Sequence, residues 1–432
     1  MLVYSPSIPA RLHYVCGFIG KELTGKPFEL TDNKKIFLDA PGAKINYSPD
    51  RIGDNEYWLR PHSLLFETGI REQVLLVFEL NGNKAFFGTE GDLSFDIFAA
   101  IFYLLSRYEE YGPQQKDVYG RYDHKNSLAF RENFLDKPLI NSWIQAFKQE
   151  LIKKFPSFTT HNSPFTFIPT YDIDEAYAYK YKSWIRRAGA AARDLLNRNW
   201  KDFSLRKKVL ANQVPDPFDS YDWLDNLHDR SGLQPRYFFL AAHKTGKYDK
   251  NILPRETAWQ ALARKHASKY NIGIHPSWQS GDDPSLLQKE IATFEKTTGK
   301  TILSSRQHFI RFRLPITFRQ LIAAGIMEDF SMGYGSINGF RASVASPFYW
   351  YDLESESTTN LLLYPFCFMD ANSFFEQKFT PQQALEEMRR YYVDVKKVNG
   401  TFISIWHNTF LGTANLFSGW REIYEQFVEE VT

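Results

Sequence analysis

Several things are scarce in this 432-residue chain. It has only two cysteines, Cys16 and Cys367, both in apolar contexts, so a disulfide framework is excluded and both read as buried free thiols. No run of about 18 uninterrupted apolar residues occurs, which excludes the usual transmembrane helix. Near the start, Pro6, Pro9, Arg11 and His13 interrupt any apolar stretch. The reading therefore expects no secretory leader and a cytoplasmic location. Net charge is almost absent, at +2, which argues against a general nucleic-acid binder. There is no internal repeat and no low-complexity tract. What remains is a globular composition, 43 % hydrophobic and 24 % charged. Aromatic residues make up 16 %; such rings suit sugar faces, and they also build large cores.

The most informative stretch is Phe165 to Tyr177, F-T-F-I-P-T-Y-D-I-D-E-A-Y. It starts as an apolar, β-branched strand and closes on Asp172 and Asp174. Residues two apart on an extended backbone share a side, so two carboxylates leave this strand end together. Such a pair can hold a metal with one member and move a proton with the other. The plain alternative is a strand-end turn with solvated aspartates.

Before this stretch, residues 1–160 read as a smaller α/β domain of unassigned role. Expected there are a helix over Ile8–Leu23, short strands at Pro27–Thr31, Ile36–Leu38 and Ala43–Tyr47, and a stronger strand at Val74–Leu80. A buried helix is expected within Asp92–Tyr111, with Arg107, Glu109 and Glu110 as surface charges or interdomain pairs. Pro156 to Pro164 is the linker candidate. Residues 161–432 form the second domain. Strands are expected at Pro235–Leu240, Asn271–His275, Thr301–Ser304, Phe340–Ala342, Leu361–Phe366 and Thr401–Trp406, alternating with helices. That alternation implies a parallel sheet, a barrel or partial barrel, with its site at the C-terminal strand ends. Lys180 to Lys208 carries ten Lys/Arg against two Asp/Glu, interleaved with Trp184, Leu196 and Trp200. It reads either as a basic amphipathic segment for a membrane surface or an anionic glycan, or as an inserted helical hairpin with a solvated basic face.

Four more strand ends carry polar groups: His275 before Pro276, Arg306 with His308, Asp370, and His407. A catalytic zinc site needs about three N/O ligands and an open position. Asp174, His275 and His308 can supply them, leaving Asp172 as the base. Taken singly, each histidine is more often a satisfied structural residue.

The order of these motifs resembles the NodB-homology polysaccharide deacetylases, carbohydrate esterase family 4. T-Y-D-I-D at Thr170–Asp174 is similar to the family's first motif, and I-W-H at Ile405–His407 to its last. The resemblance implies a distorted (β/α) barrel of the polysaccharide deacetylase type, preceded here by the smaller α/β domain. It also implies a divalent metal, usually Zn2+, and removal of N- or O-linked acetyl groups from an oligo- or polysaccharide. Asp172 would be the general base and Asp174 a metal ligand. Arg306 would orient the base, and His407 would be the general acid, tuned by Asp370. The second motif departs from the pattern: its first histidine is matched by His275, but Gln279 stands where the second would be. His308, where the third motif has proline, is taken as the substitute ligand. The blocks S-R-Q-H-F-I-R-F, E-D-F-S-M-G-Y and G-F-R-A-S also resemble a Bacteroidetes-type subgroup with an extra N-terminal domain. Trp278, Tyr334 and Trp406 are the candidates to stack on sugar. Two other functions stay open: a catalytically degenerate carbohydrate-binding relative, and a membrane-surface factor in glycan synthesis working through residues 180–208.

Overall fold

A computed structural model describes residues 1–432 as a mixed α/β protein built on two sheets. The first has four parallel strands, β1 (Leu2–Tyr4), β2 (Glu29–Thr31), β3 (Lys44–Tyr47) and β4 (Tyr57–Leu59), in the order β2-β1-β3-β4. Helices Ala10–Thr24, Ile97–Leu105 and Leu139–Lys154 supply its apolar cover. All nine residues of Ile97–Leu105 are buried, and Asp96 caps that helix by accepting from the amides of Phe98 and Ala99. A two-stranded hairpin, β5 (Phe78–Leu80) and β6 (Asn83–Ala85), follows the first sheet.

The second sheet holds nine strands: β7 (Thr166–Ile173), β8 (Arg236–Leu240), β9 (Asn271–His275), β10 (Ser304–Ser305), β11 (Glu328–Asp329), β12 (Phe348–Asp352), β13 (Ser357–Leu363), β14 (Phe368–Met369) and β15 (Thr401–His407). Their order is β12-β13-β11-β10-β9-β8-β7-β15-β14. Every pair is parallel except β12 with β13. Parallel neighbours direct their C-terminal ends to one edge, where loops gather. Pro169 is tolerated inside β7 because β8 joins only from Thr170 onward, so the missing N–H falls where β7 has one partner. One continuous apolar core runs through both sheets. No helix is long and apolar enough to cross a membrane.

Several local expectations differ from the structure. Ile36–Leu38 is not a strand but part of a helix, Lys34–Asp39, started by the Asn33 side chain accepting from the amides of Lys35 and Ile36. Phe340–Ala342 is a turn: the Phe340 amide donates to Leu135 O and that of Ser343 to Phe340 O, so this segment is apolar through burial and not through strand pairing. The strand of Val74–Leu80 shrinks to Phe78–Leu80, with Val74 and Leu76 exposed. The strand expected at Thr301–Ser304 is reduced to the two residues Ser304–Ser305. Arg107 and Glu110 are not surface charges: both are buried, and Glu110 pairs with Arg341. Strand β12 is not among the expected strands; it lies beside turn-rich sequence that masks a short run.

Candidate metal centre and cleft

Strand alternation sets up the site. In β7, Tyr171 points to one face, where its hydroxyl meets His228 Nε2 at 2.7 Å, and Asp172 points to the other. Asp172 is directly paired in register with His407 of β15 on one side and Phe238 of β8 on the other. Asp174 follows just past the strand end. His275 closes β9, and Arg306 follows β10, its amide donating to Ile274 O.

Arg306 is fully buried and is positioned by three neighbours. Its Nε donates to Phe330 O at 3.0 Å, its Nη1 to Asp172 Oδ1 at 2.8 Å, and its guanidinium lies 4.4 Å from the centre of the Phe238 ring. Phe238 has room because the next strand carries Gly273. A Cβ there would stand 2.5 Å from the Phe238 ring and 2.8 Å from Ser304 O. The chain Gly273, Phe238, Arg306, Asp172 therefore fixes one carboxyl group against one buried guanidinium. Burial lowers the pKa of Arg306, and the facing Asp172 works against that.

Beside this pair, three ligand atoms converge. Asp174 Oδ1 is 3.1 Å from His275 Nε2 and 3.5 Å from His308 Nδ1, and the two imidazole nitrogens are 2.9 Å apart. The far nitrogens are committed elsewhere. His275 Nδ1 is 2.6 Å from the carbonyl of Arg306, and His308 Nε2 is 3.2 Å from that of Tyr248. A carbonyl only accepts, so each of those nitrogens carries the hydrogen. The inner nitrogens then present lone pairs to each other and to Asp174 Oδ1, which is buried and accepts no hydrogen bond. Three lone-pair donors facing one another, with both histidines held by backbone carbonyls, fit a bound cation.

His308 arrives by a different route from the extended one its spacing suggests. It opens a tight turn, His308–Ile310, in which Phe309 and Ile310 have φ of 60° and 53°. A β-branched residue in the left-handed region is strained and persists only where its surroundings enforce it. Arg121 supplies one constraint: its Nη1 donates to Phe309 O at 2.8 Å, while its Nε is paired with Asp117 at 2.6 Å. Gly335 makes room for this guanidinium, since a Cβ there would overlap Arg121. Gln279 lies outside the triad; its amide reaches toward Asp249 at 3.5 Å.

His407 completes the group. Its Nδ1 is 2.6 Å from Asp370 Oδ1, and its amide donates to Asp370 Oδ2 at 2.7 Å. Its Nε2 points back to Asp174 Oδ2 at 3.5 Å. Burial favours the neutral ring, but the adjoining Asp370 carboxylate outweighs it, and the His407 pKa is raised to about 10. Imidazolium is the resting form.

These residues floor a cleft of about 670 Å³. Tyr119, Tyr248, Phe309, Phe375 and Phe410 form much of its apolar wall. Of the three aromatic residues expected to stack on sugar, none lines it. Trp406 is wholly buried, packed on Tyr424 at 4.5 Å, because it alternates with His407 and faces away from the cleft. Tyr334 is buried with Arg341 over its ring and Tyr122 alongside. Trp278 has Tyr248 stacked at 4.0 Å and Arg311 lying 4.4 Å from its ring centre. Tyr119, Tyr248 and Phe309 went unrecognised in sequence because they sit on loops without periodic pattern; the only signal was the Tyr119–Arg121 cluster amid polar residues.

Comparison with known proteins gives three findings. Residues 1–156 match a family described as a family of unknown function (DUF7033). No curated protein matches the chain. Among solved structures the chain is similar to one named as a polysaccharide deacetylase from Mycobacterium smegmatis, at 14 % identity and TM-score 0.39, over 63 % of this chain and 88 % of that one. Another, named likewise, is from Pseudomonas aeruginosa, at 11 % identity and TM-score 0.38, over 61 % and 83 %. A third is a mutant of a CE4 family pseudoenzyme with restored enzymatic activity, at 10 % identity and TM-score 0.31, over 62 % and 65 %.

Proposed function

We propose that this chain is a metal-dependent hydrolase that removes acetyl groups, on nitrogen or oxygen, from a carbohydrate. In this reading residues 161–432 are a distorted (β/α) barrel of the polysaccharide deacetylase type, and residues 1–160 a separate domain that lends Tyr119 and Arg121 to the cleft. The observation that carries it is the convergence of Asp174 Oδ1, His275 Nε2 and His308 Nδ1 as unshared lone pairs, next to an Arg-held carboxylate and a carboxylate-held imidazolium.

The chemistry a divalent cation such as Zn2+ supplies when held by those three atoms is polarisation of an acyl carbonyl and a water pKa lowered to about 7. Asp172 accepts the proton of the attacking water. Arg306 aims that carboxylate, since its Nη1 occupies Oδ1 and leaves Oδ2 for the water. His407 gives a proton from Nε2 to the departing amine or alkoxide. Asp370 holds the opposite edge of the ring and keeps the imidazolium charged until that step. The aromatic wall offers apolar faces to a sugar ring.

The test pairs metal analysis with turnover on a panel of acetylated sugars. The expected result is about one equivalent of bound divalent metal. It should fall in Asp174→Ala, His275→Ala and His308→Ala, and turnover should be lost in Asp172→Asn with metal retained. Unchanged metal in His308→Ala would remove it from the ligand set. Metal without turnover on any substrate would leave a sugar-binding relative.

A further inference from the structure

The segment between β7 and β8 is a helical hairpin, Trp184–Leu196 and Trp200–Leu210, and its first helix is seated with the unusual face outward. At 100° per residue, Trp184, Ile185, Ala188, Ala192, Leu195 and Leu196 share an arc of about 120°. A surface helix ordinarily buries such a stripe. Here the polar face is the one anchored. Arg186 donates to the carbonyls of Lys250, at 2.7 Å, and Asn251, at 3.3 Å. Asp194 is buried and accepts from Arg206 Nε and Nη2. The apolar stripe is left in solvent: Trp184 is 71 % exposed, Ile185 65 %, Leu196 84 %, and Trp200, opening the second helix, 62 %.

The hairpin also carries free cations. Arg187, Arg193, Arg198, Lys201, Lys207 and Lys208 are exposed, and none is ion-paired. The segment's two acids do not neutralise them: Asp194 is taken by Arg206, and Asp202 lies against the Asn199 side chain.

We propose that this hairpin docks on an anionic phospholipid surface. The indoles and aliphatic side chains would enter the boundary between headgroups and acyl chains, and the free Arg and Lys would meet lipid phosphates. Each half of the pattern discriminates. A polyanionic glycan satisfies the cations but offers no apolar medium for Ile185 and Leu196. A second copy of this chain across a two-fold axis covers the apolar stripe but sets the same cations against themselves. A bilayer with acidic headgroups answers both, and tryptophan is the residue suited to that boundary. The proposal does not depend on the hydrolytic reading. It bears on it, because Glu175, Phe218, Lys250, Leu416 and Phe417 line both the cleft and the hollow beneath the hairpin. Docking places the cleft mouth beside the membrane.

The test is co-sedimentation of the full chain with vesicles of phosphatidylcholine alone or with roughly 30 % phosphatidylglycerol. We expect at least about tenfold enrichment on the anionic vesicles, lost at high salt. The loss should recur in Arg193→Glu/Lys201→Glu/Lys207→Glu and in Trp184→Ala/Leu196→Ala/Trp200→Ala. All six positions are exposed and unpaired, and thermal melts matching the parent confirm folding. Independently, the parent's tryptophan emission should shift to the blue on anionic vesicles, and Trp184→Phe/Trp200→Phe should abolish that shift. Equal sedimentation with both vesicle types overturns the proposal. So does binding that survives in both triple variants. Retention on an anionic polysaccharide without vesicle binding overturns it too, as does a solution dimer that the apolar triple variant converts to monomer.

Discussion

Two buried clusters of charge sit in this protein, and they are built on opposite rules. One joins the N-terminal segment to the larger sheet. There Arg107 and Arg341 both donate to Glu110, at 2.7 and 2.8 Å through their Nε atoms. Arg107 also donates to Glu109, and Glu109 accepts from the Leu128 amide. Two cations meet two anions, donors face acceptors, and the cluster is neutral and closed. The other, around Asp174, is open: Oδ1 meets only the inner nitrogens of His275 and His308, and Oδ2 faces His407 Nε2 at 3.5 Å. Burying ions is costly unless each is matched. The closed cluster meets that requirement from within. The open one does not, and the contrast singles it out as the candidate site.

The contrast can be broken or sharpened by substitution. The largest effect is expected in Asp172→Asn, which should lower turnover on an acetylated sugar by about 10²–10⁴-fold while bound metal per folded molecule is retained. Retained turnover would refute Asp172 as the proton acceptor. Glu110→Ala should act on stability instead. It strands two buried guanidinium groups, so denaturant titration should show a loss of about 3–5 kcal/mol with metal content per folded molecule unaltered. A loss below ~1 kcal/mol would mean that water reaches that cluster. Next, saturating Zn2+, at roughly 100 times its Kd, should stabilise the apo-protein by about 2.7 kcal/mol in the same titration. That gain should be absent in His308→Ala and preserved in Arg341→Lys if only the open cluster takes a guest. The smallest effect belongs to Arg121→Ala. Losing the bond to Phe309 O loosens the turn that presents His308, so metal affinity should fall by about tenfold, or ~1.4 kcal/mol. Unchanged affinity would show that the strained turn holds itself.

How much of this was readable in sequence follows from periodicity. Asp172, Asp174, His275, Arg306 and His407 stand at the ends of short apolar runs. A polar residue closing such a run is conspicuous, and strand order then brings the ends to one edge. Alternation also placed Trp406 on the face opposite His407, so its assignment as a sugar platform was at odds with the pattern used to find its neighbour. Tyr248, Phe309, Tyr119 and Arg121 were illegible for another reason. They lie on loops whose course is set by contacts 60 to 188 residues away in the chain, and nothing local records it. The pairing of Glu110 with Arg341 is of the same kind: either residue alone looks like an ordinary surface charge. The helix through Ile36–Leu38 shows local chemistry prevailing over composition, since one asparagine side chain was enough to start it among strand-favouring residues.

The register of β7 with β15 has a further consequence. Asp172 and His407 are side-by-side partners on hydrogen-bonded parallel strands, so the gap between proposed proton acceptor and proposed donor is one rung of the ladder, about 4.8 Å between backbones. Nothing in the connecting segments sets that interval. Insertions such as the 184–210 hairpin can redirect what approaches the cleft, and lengthening or exchanging them leaves the interval as it was.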